Sequence, residues 1–353
     1  MIINQHYTRS LKRRPQLGSA FLIFTVFLFG TACSSTINLK SNDNREVSYS
    51  IVSVVHADAD YLYHENGKAK YADVKAVNQS IEIAKKAKQG EVFIFHQRPE
   101  RKAFLFFPKK DRIYYHYKYG SLISKGKYSP EDGGFTKESE IYSALTQNQN
   151  KQQTYFAYFG HEIPTFSERS YHRSSARMEF NTKVFANHLT GFSSHIALTI
   201  LSTCNNGNPL MMDHLKNVTD LVIASPQNLH LSYLKTDKFE LLESDPQIKT
   251  KALADSIAQD SFSDLSSFLQ TAVTVAVYSL DEISNYISSL NRNYEVHLES
   301  VEAKPLFTNN ADCKNIDSLE SSFSTKGVEV FYKPASFGRR AANTSHSGWG
   351  CKN

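Results

Sequence analysis

ALTILSTCNNGNPLMM, residues 197–212, decides how the rest of the chain is read. A continuous apolar run stops at Ser202, Cys204 follows, and two Asn, a Gly and a Pro come at once. A strand buried on both faces reads this way, because a half-exposed strand would alternate apolar with polar residues. A structural cysteine would sit inside ALTIL. Cys204 instead falls where the apolar pattern ends, with polar neighbours that leave its sulfur room. Pro209 suits the first position of a following helix, since it has no N–H to leave unpaired.

Working outward, other segments repeat the theme. SYSIVSVVHAD predicts a strand over 49–55 and EVFIFHQRP a buried strand. Between them DVKAVNQSIEIAKKAKQG places Val74, Val77, Ile81 and Ala84 at helical spacing, with Asp73 as a start and Gly90 as a stop. AFLFFPKK and RIYYHYKYG read as a hairpin or two further strands. Residues 120–152 read as a long loop holding one helix near 137–147. QTYFAYFGHEIP is an apolar strand halted at Gly160-His161. A helix near 175–190 follows, with Phe185 and Leu189 on one face. TDLVIASPQNLHLSYL runs from strand to loop. DLSSFLQTAVTVAVYSLDEISNYISSL reads as helix, strand (273–278) and helix.

Strands alternating with helices predict an α/β protein with three α/β/α layers and a mostly parallel central sheet. In such sheets functional sites gather at the carboxyl ends of strands. Gly160-His161 and Cys204 stand at two such ends, on strands joined by one helix, and a right-handed crossover sets those ends side by side.

Composition permits a large core: 353 residues, 41% hydrophobic, with 19 Tyr and 23 Phe. The net charge of +5 is concentrated at the start, where Arg9, Lys12, Arg13 and Arg14 precede Cys33 with no acidic residue among them. The remaining body is near neutral, which removes the electrostatic case for nucleic acid. The basic stretch leads into LGSAFLIFTVFLFG, residues 17–30, short for a membrane-spanning helix and of signal-peptide length. GTAC then resembles a bacterial lipobox, with Gly30 where Leu is usual. The resemblance makes residues 1–32 a lipoprotein signal peptide, Cys33 the lipidated first residue, and residues 33–48 a tether. Ser34 and Ser35 resemble an outer-membrane signal, so the expected location is the bacterial envelope, held to the membrane by lipid. Cys313 and Cys351 lie in a Gly/Ser/Asn-rich tail and could pair in an oxidising periplasm. Cys204 is left as an odd thiol in an exported protein, a reason to consider it reactive.

A reactive thiol needs a base. A nearby imidazole could take its proton and pass it to a leaving amine, and a helix N-terminus would favour the thiolate. An oxyanion hole needs backbone N–H groups, for which Cys204 itself and Gly160 to Glu162 are candidates. The order of these segments resembles the caspase-type cysteine peptidases, above all the clostripain family. There an apolar strand ends in His-Gly and the next in Asp-x-Cys, matching FAYFGHE (156–162) and LTILSTC (198–204). VIASPQNLHLSYL (222–234) resembles that family's Ala-Ser strand and specificity-loop entry, and TAVTVAVYSLDEI (271–283) its later strand and helix. The resemblance spans residues 49–291, leaving 292–353 as a C-terminal extension. It implies a peptidase acting on peptides or proteins, with Cys204 as nucleophile and His161 as general base and acid. It puts Ser202, Ser225 and His230 beside the substrate pocket. Two departures stand out: Glu162 replaces Gly after His161, and Ser202 replaces the acid that in the family helps select basic side chains. A catalytically inactive caspase-fold lipoprotein that binds a peptide or an envelope partner is the alternative.

Other clusters have simpler explanations. His56, Asp58, Asp60 and His64 could hold a divalent metal, and their oxygens would suit Ca²⁺, but no EF-hand spacing exists and a polar loop at a strand end explains them. KDRIYYHYKYG could stack bases or sugars, but alternation on a half-exposed sheet suffices. YHRSSAR (171–177) reads as a solvated basic loop. SHSGWGC (345–351) holds the sole Trp and reads as a tail folded back by a Cys313–Cys351 bridge. A P-loop, paired zinc-type cysteines and a G-x-S-x-G elbow are missing, and no organic cofactor is implied.

Overall fold

The computed structural model describes residues 46–57, 62–65, 67–98, 101–103, 107–109, 112–129, 134–146, 153–165, 180–229, 234–300, 311–313 and 326–351. The first half runs β1 (Ser50–His56), β2 (Leu62–Glu65), β3 (Lys68–Tyr71), α1 (Ala72–Lys86), β4 (Glu91–Gln97), β5 (Arg101–Ala103), β6 (Phe107–Lys109), β7 (Arg112–Lys118), β8 (Ser121–Tyr128), α2 (Thr136–Leu145) and β9 (Thr154–Phe159). The second continues α3 (Thr182–Leu189), β10 (Ile196–Ser202), α4 (Pro209–Leu215), β11 (Thr219–Ala224), α5 (Leu241–Ser244), α6 (Thr250–Phe268), β12 (Val273–Ser279), α7 (Leu280–Ser300), β13 (Ala311–Asp312), β14 (Val328–Lys333) and β15 (Gly350–Cys351).

Nine strands form one sheet in the order β14-β12-β11-β10-β9-β1-β4-β7-β8. The middle, β11 to β4, pairs in parallel. Antiparallel partners extend it on both sides. Only β12 and β7 run against the rest, so the sheet is mostly parallel. Period-two alternation sends neighbouring side chains to opposite faces, and both faces are covered. Ile51, Val55, Tyr155, Phe159, Leu198 and Ile200 pack against α1, α5 and α6. Val52, Val54, Phe156, Tyr158 and Leu201 pack against α2, α3, α4 and α7. Each fully buried Val, Leu, Ile or Phe contributes roughly 1.5–3 kcal/mol, so these central strands hold the layers together.

The connections set where the strand order reverses. From β1 the chain crosses to β4 by α1, on one face; from β9 it steps the other way to β10 and β11 by α3 and α4, on the opposite face. The strand order therefore reverses between β1 and β9, the kind of switch point at which α/β sheets commonly place their sites. His56 ends β1, and Gly160-His161 follows β9.

Several expectations change in detail. Residues 121–128, expected as loop, form β8, an edge strand paired with β7. Its Lys125 and Lys127 are the kind of charge that guards an edge against further pairing. In α1 the inward stripe is Ala76, Val77, Ser80, Ile83 and Ala84, whereas Val74 is 47% exposed. Asp73 in its first turn and Lys85 and Lys86 in its last suit the helix dipole. The boundary expected at 291/292 falls inside α7, and β14 joins the main sheet, so the C-terminal residues complete the fold instead of extending it. Of the helix expected near 175–190, residues 182–189 form α3, opened by Asn181, whose side chain accepts from the Val184 N–H at 2.9 Å; residues 175–179 lie outside the described residues.

One buried polar network ties the β4–β8 flank to α2. Glu138 Oε1 accepts from Gln97 Nε2 at 2.8 Å, Arg112 Nη1 at 3.0 Å and Tyr128 Oη at 2.7 Å. Arg112 and Glu138 are nearly inaccessible, with side chains 7% and 1% exposed. Removing one member of a buried pair strands the other charge. Glu138→Ala should therefore lower the unfolding free energy by about 3–5 kcal/mol; chemical denaturation of the two proteins measures this, and a loss below about 1 kcal/mol would show that the pair is not buried as described.

Candidate active site

The β9–β10 ladder pairs Phe159 with Ser202, and the Gly160 N–H then donates to the Ser202 carbonyl at 3.3 Å. His161 and Cys204 each follow two residues beyond that last pair, in the loops that leave the neighbouring strands. Both are partly exposed, and Cys204 is not in a disulfide. The ladder also engages Gly160 N–H, which takes that amide out of the set of candidate oxyanion donors. Gly160 itself is required by packing: a Cβ there would lie 2.9 Å from Tyr158 Oη and 3.1 Å from His56 Cβ.

The loop after Cys204 is built from Asn residues. Asn205 has φ 59°, a left-handed conformation that Asn tolerates better than most residues, and it turns the chain directly behind the sulfur. Its N–H donates to Gln227 O at 3.1 Å, and its Nδ2 donates to Glu162 Oε2 at 2.7 Å. Asn206 is fully buried. Its Oδ1 accepts from the Ile163 N–H at 3.0 Å and from Thr203 Oγ1 at 2.6 Å, and its Nδ2 donates to Ile163 O at 2.9 Å. Asn208 caps α4 by accepting from the Met211 N–H at 3.0 Å, with Pro209 in the first turn. The helix dipole expected to favour a thiolate is thus short, at seven residues, and its end is already capped.

The chain's C-terminus backs this loop. Gly207 N–H donates to Ser225 O at 2.9 Å, and its carbonyl accepts from Gly350 N–H at 3.0 Å. A Cβ on Gly207 would lie 2.4 Å from Tyr278 Oη and 2.6 Å from Pro226 N, so no side chain fits. Tyr278 Oη donates to Gly348 O, and its ring lies 5.0 Å from that of Trp349, centroid to centroid. Burial pushes the Tyr278 phenol far above its usual range, so it stays a donor. Cys313 and Cys351 form a disulfide with Cα atoms 5.0 Å apart, and β13 pairs with β15 around it. The only Trp is therefore buried packing behind the candidate site, not a surface contact.

Two expected pocket residues are not where a substrate could touch them. Ser202 is 2% exposed, and its Oγ accepts from the Leu234 N–H at 2.6 Å, anchoring the return of the loop after β11. Ser225 is fully buried and bonds both the carbonyl and the N–H of Gln227, forming a tight turn. Strand alternation and turn chemistry, not pocket lining, explain both serines. His56, weighed as a metal ligand, is buried with Nδ1 on Gln97 Oε1 at 2.9 Å. Among the described residues no group of three or more His, Cys, Asp or Glu could hold a metal ion. His230, Cys33, Asp58, Asp60 and residues 171–177 lie outside the described residues. The sequence reading missed Asn205, Asn206 and Gly207. The signal was present in the run CNNGNP, where Asn side chains bond backbone in place of secondary structure.

No family model and no curated protein matches the sequence. Solved structures do match the fold. An X-ray structure of an inactive zymogen C11 protease from Parabacteroides distasonis superposes with a TM-score of 0.56 at 13% identity, covering 86% of this chain and 91% of that one. A secreted C11 cysteine protease from Bacteroides thetaiotaomicron, iotapain, gives 0.56 at 10% identity, covering 87% and 94%. A secreted C11 cysteine protease from the same organism, bound to an irreversible peptide inhibitor, gives 0.53 at 9% identity, covering 87% and 89%. At these identities the likeness is one of fold, and the chain has the caspase-like α/β fold of the clostripain-like C11 proteases.

Closing a loop of 38 residues, the Cys313–Cys351 bond should stabilise the protein by roughly 3–4 kcal/mol. The Cys313→Ala/Cys351→Ala variant should unfold at a correspondingly lower denaturant midpoint; an unchanged midpoint would show that the strap is held by its packing alone.

Proposed function

We propose that this protein hydrolyses peptide bonds with Cys204 as nucleophile and His161 as general base and acid. The observation that carries this reading is the parallel register of β9 and β10, which pairs Phe159 with Ser202 so that His161 and Cys204 each follow two residues later. The peptidase fold shared with the C11 structures supports it, as does the peptide inhibitor bound by one of them.

His161 takes the thiol proton, and the Cys204 sulfur attacks the carbonyl carbon of the scissile bond. The tetrahedral oxyanion needs N–H donors, for which the backbone of Cys204 and of Glu162 remain the candidates. Collapse breaks the C–N bond, the imidazolium protonates the leaving amine, and a thioester remains on the sulfur. Water, losing a proton to His161, then attacks the thioester. The C–S bond breaks, and the acid product and the free thiol are released. With Ser202 buried in place of an acid, the reading assigns no preference for basic side chains.

A second reading, binding a peptide or envelope partner without cleaving it, is favoured by one feature. Glu162 stands where a small residue would leave the backbone free, and its carboxylate is tied across the site to Asn205. Chemistry separates the two. Cys204→Ala and His161→Ala should each lower the hydrolysis of an unfolded, internally quenched fluorescent protein by roughly 10³-fold or more. Equal turnover in wild type and both variants would remove the enzyme reading, and absence of turnover in the wild type would favour the binding one.

We further propose that Cys33 carries the lipid and that the body is tethered to an envelope membrane, the outer membrane on the Ser34-Ser35 reading. Among the described residues no helix is long and apolar enough to cross a membrane, and acyl chains anchor at roughly 0.8 kcal/mol per buried methylene. In a bacterial host, labelled palmitate should enter the wild type and not Cys33→Ser; equal labelling of both would contradict the assignment.

A further inference from the structure

We infer that Asn206 is a positioning residue that sets the spacing between His161 and Cys204, an inference that rests on the dyad reading above. The two side chains come from different loops. Beyond the Gly160–Ser202 bond the ladder no longer holds those loops in register. What joins them deeper in is one fully buried amide.

Asn206 lies two residues after Cys204, and its partner Ile163 lies two residues after His161. Asn206 grips both backbone groups of Ile163, the N–H with Oδ1 and the carbonyl with Nδ2. A backbone amide offers one donor and one acceptor, and an Asn side chain can answer both at once. The orientation of the amide is self-consistent: Oδ1 receives two donors, Ile163 N–H and Thr203 Oγ1, and Nδ2 meets a carbonyl. Reversing it would set two N–H groups face to face. The Thr203 hydroxyl, itself buried next to Cys204, fixes the rotation of the clamp. Glu162 and Asn205 form a second, part-buried bridge between the same loops. The clamp thus encloses His161 and Cys204 between the end of the ladder and Ile163–Asn206. Displacing a reacting group by about 1 Å can cost 10²-fold in rate, so a spacer of this kind acts on chemistry without touching substrate.

The test uses iodoacetamide on the full chain, with alkylation of Cys204 followed by peptide mass spectrometry from pH 5.5 to 9. An isolated thiol titrates near about pH 8.5, so its alkylation rate falls about tenfold per pH unit below that. A thiol paired with an imidazole keeps a fast limb at lower pH. Wild type should show that limb, and His161→Ala should lose it. Asn206→Ala should shift to the His161→Ala profile while keeping its far-ultraviolet circular dichroism. Asn206→Asp retains an acceptor for Ile163 N–H and Thr203 and loses the amide donor; it should fall between the two, and it decides the matter if Asn206→Ala does not fold. Wild-type profiles in whichever of these variants folds would overturn the inference and leave the dyad standing. Coincident profiles for wild type and His161→Ala would sink the dyad reading, and the clamp's role with it.

Discussion

The parallel ladder between β9 and β10 is the constraint from which the rest follows. The pair fixes register because a slip of one residue would send every side chain to the opposite face of the sheet. Both strands are buried on both faces, so a slip would force Tyr155 and Leu198 into the core fitted to Phe156 and Leu201, and the reverse, at a cost in packing. That packing cost holds Phe159 opposite Ser202, the last pair before the two loops that carry His161 and Cys204. The helices covering the two faces add a second effect. Because α1 packs on one face and α3 and α4 on the other, the strand order reverses between β1 and β9.

Beyond the ladder, order comes from polar groups. Thr203, Asn206 and Asn208 are buried, and each finds hydrogen-bond partners in neighbouring backbone or side chains. Partners for buried amides matter more than their net contribution of roughly 1 kcal/mol per bond suggests, since an unsatisfied one costs more. The C-terminal segment completes the support. Gly350 reaches the carbonyl of Gly207, three residues from the sulfur, and the disulfide holds that segment against Tyr278 and Trp349. Residues near the end of the sequence thus help shape a loop far earlier in it, through the bond from Gly350 to Gly207, and belong to the same layered unit.

The fold class, the central strands and the two strand ends were legible in the sequence because burial writes itself as uninterrupted apolar runs. ALTIL and YFAYF needed no partner to be recognised. The edges were less legible. SLISKGKY in β8 is an exposed edge strand with a mixed surface pattern, and its pairing with β7 decides it, not its composition. The C-terminal strand β14 was hidden for a similar reason: VEVFYK follows a long polar stretch and pairs across a distance in sequence. At the site, residue types identified Cys204 and His161 as candidates. Ser202 and Ser225 were misjudged because a serine near a strand end can face the cleft or the interior, and only the register of the loop after β11 decides. The clamp by Asn206 was out of reach for the same reason, since its partners are backbone atoms and carry no residue signature.

The central claim is one of proximity: a sulfur and an imidazole, carried by the loops that leave neighbouring strands, meet above the sheet. An experimental structure of the full chain at high resolution measures this directly. The account predicts Cys204 Sγ within roughly 3–4 Å of a His161 ring nitrogen, allowing for some looseness without substrate. A sulfur turned into the core, or a ring more than roughly twice that distance away, would contradict it.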